Sequence, residues 1–349
     1  MKIKRLYINN YKSLVNFELV EPNPFSVFVG PNAAGKSNVF EAFEFLSYSS
    51  DFVRGNDIFG GANNYLNKNL QSTYKNIIGQ QFEIDVKLDA EFLNTKDEIE
   101  LRANIKYLQL EDGIIPASGT SRHHWADDYK EWIQQVEQKE NTYINKFSRI
   151  FIKNSQLVKS QIKSSLKLSL DCSNLESVLY RILQDEIKRD EITEWMESLI
   201  PGLEKVEVAK SDLSGDYFLR IFEKHLPDPI GKNLISDGTY NILALLTAVY
   251  QSDEPQFLCI EEPENGLTPY VLRSLVNFFR TVCEEKGHYI WLNTHSPTIV
   301  NELQPKELIL IDKIEGITKA KQLDPNLKLK TMKLDEAWLT NSLGGGLPW

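Results

Sequence analysis

The chain has 349 residues, of which 42% are hydrophobic and 25% charged, an ordinary balance for a globular protein with a buried core. Lysine and arginine number 39 against 49 acids, a formal net charge of −10, which argues against a chain coated in nucleic acid while leaving room for a local basic stripe. The longest apolar stretch, around Ile242 to Val249, falls short of the ~18–20 residues of a membrane span. Met1-Lys2-Ile3-Lys4-Arg5 leads into polar residues rather than an apolar signal core, and Cys172, Cys259 and Cys283 show neither CxxC spacing nor an even count. The expectation is a cytoplasmic protein without disulfides, a cysteine zinc site or a membrane span.

Residues 3–8 and 14–20 read as strands joined by Asn9-Asn10-Tyr11-Lys12, and Pro22 and Pro24 end the pattern. Phe25-Ser26-Val27-Phe28-Val29 reads as a short buried strand, followed by a glycine-containing loop and a helix from about Lys36 to Ser47. Residues 48–80, rich in Asn, Gly and Ser, read as loop; two strands with alternating apolar positions follow, around Phe82–Leu88 and Ile99–Leu110. Between 125 and 199 the periodicity turns helical. Tyr129, Trp132, Ile133, Val136, Tyr143, Phe147, Ile150 and Phe151 recur at helical spacings. Ser173 and Glu176 form a capping-box pattern that opens a second helix carrying Val178, Leu179, Ile182 and Leu183 on one face. Pro201-Gly202 ends the region, and Val206–Ala209 with Tyr217–Phe222 predicts a hairpin. From Leu234 onward helix and strand alternate: a helix from about Thr239, a strand at 257–260, a helix from about Thr268, a strand at 288–292, a short helix, and a strand at 307–311. That alternation predicts βαβ units on a mostly parallel sheet. The tail from Asn341 to Trp349 is apolar and glycine-rich, suited to docking on the body or a partner, or else disordered.

Two segments carry chemistry. Gly30-Pro31-Asn32-Ala33-Ala34-Gly35-Lys36-Ser37 matches GxxxxGK[ST] between a predicted strand and a predicted helix, the context that motif requires. Its glycines let the backbone turn so that successive N–H groups and the helix N-terminus face phosphate oxygens, with Lys36 reaching the β- and γ-phosphates and Ser37 ligating Mg²⁺. Phe257-Leu258-Cys259-Ile260-Glu261-Glu262 is an apolar strand delivering two acids at its C-terminal end. Glu261 is expected to hold Mg²⁺ through water, and Glu262 to polarise an attacking water.

With these residues in view, Met1–Leu46 resembles the N-terminus of SMC-like and RecF-like members of the ABC ATPase superfamily: a strand, Asn10-Tyr11-Lys12-Ser13-Leu14, a second strand, then Gly30 through Asn38. Ile235-Ser236-Asp237-Gly238-Thr239 is similar to the ABC signature, Glu261-Glu262-Pro263-Glu264 to Walker B, Asn265-Gly266-Leu267 to the D-loop, and Asn293-Thr294-His295-Ser296-Pro297 to the switch histidine. About 200 residues separate Lys36 from Ser236 and hold an insertion; the resemblance covers roughly 1–60 and 230–312. Glu261 replaces the more usual Asp, and Asp237 replaces the first Gly of the transporter-type signature; that Asp is familiar in the RecF-like and OLD-like branch.

The resemblance implies an α/β fold: a P-loop NTPase, ABC-type head with a mostly parallel sheet, an N-terminal antiparallel sheet and a helical insertion. Its expected parts are 1–120, with Walker A; 121–203, the insertion; 204–320, with signature, Walker B and switch histidine; and 321–349, the tail. It implies ATP and Mg²⁺ as cofactors, Glu262, His295 and Lys36 as catalytic residues, and Asn38 among the nucleotide contacts. It also implies an ATP-dependent homodimer or higher oligomer in which Ser236 and Gly238 complete the partner's site. Arg54 lies where SMC proteins carry an arginine finger, a surface arginine being the alternative. Only 54 residues follow His295, with no DxD pattern, so a built-in nuclease is not expected and a separately encoded effector, such as a nuclease, is implied. Antiphage defence or DNA repair is the expected setting. The competing functions are the ATPase subunit of a transporter, against which stand the ISDGT signature and the long gap, and a non-hydrolysing scaffold, against which stands Glu262.

Two further features stand out by residue type. His123-His124 lack an accompanying carboxylate or cysteine and read as loop histidines. Residues 141–170 carry Lys146, Arg149, Lys153, Lys159, Lys163 and Lys167 and no acid, a stripe that suits a DNA backbone or a solvated helix face.

Overall fold

A computed structural model describes residues 2–9, 11–53, 81–89, 98–110, 113–124, 147–152, 166–329 and 332–346. Arg54, Lys146, Lys153, Lys159 and Lys163 lie outside the described residues. The chain divides into two units, Met1–Phe147 with Leu303–Trp349, and Ser148–Glu302.

In the first unit, β1 (Lys2–Asn9) and β2 (Phe17–Val20) pair antiparallel, with Leu6 opposite Leu19 and Ile8 opposite Phe17, all four buried. Between them Tyr11 and Leu14 exchange backbone hydrogen bonds of 3.1 and 2.8 Å, with Lys12 at φ 51°. β1 also pairs with β4 (Gln81–Asp89), which continues into β5 (Glu98–Leu110) and β6 (Gly113–His124). The result is a five-stranded antiparallel sheet in the order β2-β1-β4-β5-β6. The sequence reading missed β6, and His123 and His124 end this strand rather than sit in a loop.

β3 (Phe25–Val29) is buried along its whole length, as expected of a parallel strand covered on both faces. It runs parallel to β13 (Leu308–Ile314), Val27 facing Leu308. β13 turns at Glu315-Gly316 into antiparallel β14 (Ile317–Gln322). Both turn residues have positive φ, 51° and 82°, the geometry whose twist suits a two-residue hairpin. α1 (Lys36–Val53) follows β3, and Phe40 meets Phe28 edge to face at 5.4 Å. Beyond α7 (Leu334–Leu339), the tail docks through residue 346. Trp338 Nε1 donates to the Gly345 carbonyl at 2.5 Å, and Gly345 N–H donates to Asp312 Oδ2 at 2.8 Å.

In the second unit, β11 (Phe257–Glu261) and β12 (Tyr289–Asn293) are parallel, fully buried and in register, in the order β12-β11-β7 with β7 (Phe147–Phe151). β7 corrects the helical reading of Phe147, Ile150 and Phe151. Their spacing fits a helix turn equally well, but the segment is a strand beside β11. α2 (Leu175–Ile182) starts one residue later than the Ser173 pattern suggests, with Asn174 as its N-cap. α3 (Glu186–Leu199) is capped by Asp185, whose carboxylate accepts from the N–H groups of Ile187 and Lys188. β8 (Leu203–Lys210) and β9 (Tyr217–Glu223) form the predicted hairpin, extended by β10 (Ile230–Gly231). α4 (Asp237–Tyr250) is buried at every position from Asn241 onward, which is why its sequence is apolar all round. α5 (Pro269–Lys286) has Thr268 as N-cap, Pro269 in its first turn and Gly287 in the left-handed conformation after its end. α6 (Pro297–Asn301) follows β12. Trp195 of α3 packs on Phe278 of α5 at 4.6 Å. Among the described residues, no helix is long and apolar enough to cross a membrane.

Candidate functional site

The predicted site residues fall on both units. On the first, the loop leaves β3 at Gly30, where an added Cβ would land on the Ile311 carbonyl oxygen of β13. Ala33 follows at φ 61° and Gly35 at φ 101°. At Gly35 an added Cβ would strike Thr318 Oγ1 and come within 2.8 Å of Ser13 Oγ. Those two hydroxyls belong to a chain of hydrogen bonds. Asn38 Nδ2 donates to Ser13 Oγ at 2.7 Å, Ser13 and Thr318 hydroxyls lie 2.6 Å apart, and Thr318 Oγ1 donates to the Ala34 carbonyl at 2.7 Å. Because Thr318 spends its proton on Ala34, Ser13 is the donor in the middle link. Thr318 N–H also donates to the Ser13 carbonyl at 2.8 Å, and Lys12 forms an ion pair with Glu41 of α1.

Pro31 N-caps nothing but accepts the Ala34 N–H at 3.2 Å, which closes the turn, and Asn32 and Ala33 form its exposed crest. Lys36 is buried, its ammonium donating to the carbonyls of Gly30 at 2.8 Å and Pro31 at 3.0 Å. Ser37 sits one position further, half-buried. The first turn of α1 carries no acid, so its N-terminus and Lys36 together suit an anion.

On the second unit, the ends of β11 and β12 carry the acids and the histidine. Glu261 is buried, and its Oε1 accepts from Arg149 Nε at 2.6 Å and lies 2.5 Å from Arg149 Nη2. Its Oε2 accepts from Asn293 Nδ2 at 3.5 Å. This takes Arg149 out of the basic stripe: it is a buried partner of a carboxylate. Glu262 has φ 47°, a left-handed conformation uncommon for a residue with a side chain and concentrated at functional sites. Its N–H donates to the Asn293 carbonyl at 2.7 Å, and its Oε2 accepts from Asn265 Nδ2 at 3.3 Å. Glu264 Oε1 accepts the His295 N–H at 2.8 Å, fixing the residue after Thr294, and His295 is half-buried. Burial pushes the Glu264 carboxyl above its ordinary range, assisted by the Glu262 charge and opposed by hydrogen bonds from His295 N–H and Thr294.

The signature segment packs onto the same loop. Ser236, exposed, N-caps α4: its Oγ accepts the Thr239 N–H at 3.2 Å. A Cβ on Gly238 would come within 2.6 Å of the Gly266 carbonyl, and Asn241 Nδ2 donates to the Asn265 carbonyl at 2.7 Å. The structure thus joins Glu262, His295, Ser236 and Gly238 through the turn at 262–267. Among the described residues no cluster of three or more His, Cys, Asp or Glu is placed to hold a metal ion by itself.

Sequence reasoning missed Thr318 and Arg149 as site neighbours, and it gave Ser13 no role of its own. Replacing Thr318 by Val keeps the shape but leaves the Ala34 carbonyl and the Ser13 hydroxyl short of a partner. T318V is expected to lose about 1–3 kcal/mol in urea unfolding, and T318S much less. Equal stability of T318V and wild type would show that the chain does not brace the loop.

Glu264 gives a pH signature. An acid whose folded pKa is raised binds more protons folded than unfolded between the two values, so its charge costs stability as pH rises. E264Q keeps the acceptor for His295 and removes the charge. The stability of E264Q minus that of wild type should therefore grow from acid to neutral pH in parallel unfolding titrations, and a flat difference would refute the burial effect.

Residues 25–301 match the family described as "AAA domain, putative AbiEii toxin, Type IV TA system". No curated protein matches the chain. Among solved structures it is similar to the Smc head bound to the C-winged helix domain of ScpA, at 14% identity and TM-score 0.61, over 93% of this chain and 98% of that one. It is also similar to the Smc head domain with an extended coiled coil, bound to the C-terminal domain of ScpA, from Pyrococcus furiosus (12% identity, TM-score 0.59, 93% and 97% covered). A third similar structure is the SMC head domain from Thermotoga maritima (12%, 0.52, 93% and 100%). The chain belongs to that AAA family, and its fold is that of an SMC-like, ABC-type P-loop ATPase head.

Proposed function

We propose that this protein binds and hydrolyses ATP, closes two copies of itself around two nucleotides, and controls a nucleic-acid-directed process through a separate effector. One observation carries the reading: the Gly30–Asn38 turn, whose close passages admit glycine alone at Gly30 and Gly35 and whose Lys36 ammonium is gathered onto the loop. A phosphate fits such a turn, because its crest at Asn32 and Ala33 is exposed, the Lys36 ammonium is gathered onto the loop and the helix start carries no acid.

In this reading Gly30 to Asn38 cradle the phosphates, and Lys36 turns from the Gly30 and Pro31 carbonyls to the β- and γ-phosphates. Ser37 would ligate Mg²⁺ and Glu261 would hold it through water; the ion would supply charge neutralisation on the phosphate oxygens. Glu262 accepts a hydrogen bond from the attacking water and aligns it, a positioning task for which its fixed backbone suits it. His295 meets the γ-phosphate. Ser236 and the helix start at Gly238 complete the second copy's site. Leu234, 81% exposed, and Tyr270, 63% exposed, beside the signature and the 262–267 turn, support a face that another copy covers. The family's description names a toxin of a type IV toxin–antitoxin system, and two of the similar heads are bound to ScpA domains. The first supports a setting in a toxin–antitoxin or defence system, and the second supports action together with another protein. DNA contact through 141–170 falls to the lysines, since Arg149 is engaged with Glu261.

Calorimetry with Mg²⁺ and ATP tests the first step: K36A is expected to remain folded and to lose detectable ATP binding, and undiminished affinity would remove the P-loop assignment. E262Q tests the second. It keeps size and hydrogen bonding while losing the charge, so it should bind ATP, turn over about a hundredfold more slowly or less, and accumulate as an ATP-dependent dimer in light scattering. Wild-type turnover in E262Q, with E261Q inactive, would reverse the roles of the two acids.

A further inference from the structure

Glu261 is the residue proposed to hold Mg²⁺, and it already has a cation. Arg149 reaches it from β7, the strand next to β11, with two guanidinium nitrogens 2.5 and 2.6 Å from one carboxylate oxygen. The side chains are 9% and 5% exposed, so the pair is shielded from water and from salt. A carboxylate at this depth is not left without a countercharge, because removing one partner of a buried pair leaves an uncompensated charge. Arg149 supplies that countercharge to Glu261.

The same geometry sets up a competition. Oε1 takes both guanidinium contacts, and a divalent cation drawn to Glu261 would stand beside a fixed positive charge and be repelled by it. We infer that Arg149 is an exchangeable internal countercation: Glu261 is held by Arg149 in the absence of nucleotide and passes from Arg149 to Mg²⁺ when Mg²⁺ and ATP are loaded, releasing the side-chain tie between β7 and β11. This rests on the reading of Glu261 as a metal-holding residue. Arg149 acts through Glu261 and is a positioning residue. By linkage, whatever factor Arg149 takes from Mg²⁺ affinity, Mg²⁺ takes from the Arg149–Glu261 pair.

Two measurements test it. The first titrates Mg²⁺ into protein with ATP, following nucleotide binding by calorimetry. R149Q is expected to lower the Mg²⁺ concentration for half-saturation about tenfold, R149K to shift it less in the same direction, and R149Q in an E261Q background to have no effect. The second uses wild-type protein and labels arginines with phenylglyoxal, read by mass spectrometry. Arg149 should be protected in the apo protein and with ATP alone, and become reactive with Mg²⁺ and ATP together. Wild type that binds no ATP at all would remove the proposed function itself. Mg²⁺-dependent ATP binding in wild type with an unshifted half-saturation in R149Q, or with Arg149 equally protected throughout, would overturn the exchange alone. Should R149Q not fold, R149K and the labelling decide.

Discussion

The hydrogen-bond chain from Asn38 through Ser13 and Thr318 to the Ala34 carbonyl is the constraint on which the loop depends. A loop of nine residues ordered by itself loses backbone freedom at roughly 1–2 kcal/mol per residue, and the contacts that hold it must offset that. Here they come from behind. Thr318 is wholly buried on β14, placed by the Glu315-Gly316 hairpin, and pins the loop's carbonyl; Ser13 is held by the Tyr11–Leu14 turn. The chain closes around Gly35, so the glycine is fixed by two hydroxyls as well as by its own φ. Linked donors and acceptors polarise one another, so the loss of one member is felt by its neighbours. The Asn-Tyr-Lys-Ser-Leu segment thereby acquires a physical role: Lys12 ties to Glu41 and Ser13 to Asn38, both on α1.

The second unit builds its acids by a different device. β11 and β12 are paired so that Glu261 faces Asn293, and the chain then breaks register at Glu262 with a left-handed residue. That strain is held by the Asn293 carbonyl and by the turn bond from Asn265 N–H to the Glu262 carbonyl at 3.2 Å. The Glu264–His295 bond ties the two strand ends again one step further out. Gly238 rests on Gly266 and Asn241 on Asn265, so the 262–267 turn and the start of α4 are in direct contact.

What could be read from the sequence was what is local. The Gly30–Ser37 loop, the buried strand ending at Glu261, and the helix from Thr268 carry their signals within a few residues, and the strands and helices stand where those signals put them. Thr318 was illegible because nothing in Ile317-Thr318-Lys319-Ala320-Lys321-Gln322 alternates as a half-buried strand should; its partner is 284 residues away. The Glu315-Gly316 turn was the available clue. Charge composition places Arg149 among the surface cations because it ignores pairing across a sheet. Phe147, Ile150 and Phe151 were misread because five residues are too few to separate a period of 3.6 from a strand buried on both faces.

Both charges expected to meet a nucleotide and its metal are satisfied internally, Lys36 by loop carbonyls and Glu261 by Arg149. An ammonium or carboxylate buried without such partners would cost several kcal/mol and would either neutralise or unfold its surroundings. Internal partners let the protein hold a preformed site at rest. They also make ligand binding an exchange, in which each new contact is gained against one given up, so net affinity is a difference between two sets of interactions. At Lys36 the contacts given up are with neutral carbonyls, which hold a cation less strongly than phosphate does. At Glu261 the contact given up is with a full positive charge. The two exchanges are therefore unequal: capture of phosphate by the loop is favoured on charge alone, whereas release of Arg149 needs a competing cation of higher charge. If Arg149 and Mg²⁺ exchange on Glu261 as inferred above, that ordering would make the second unit, rather than the loop, the part whose state reports on a complete metal–nucleotide pair.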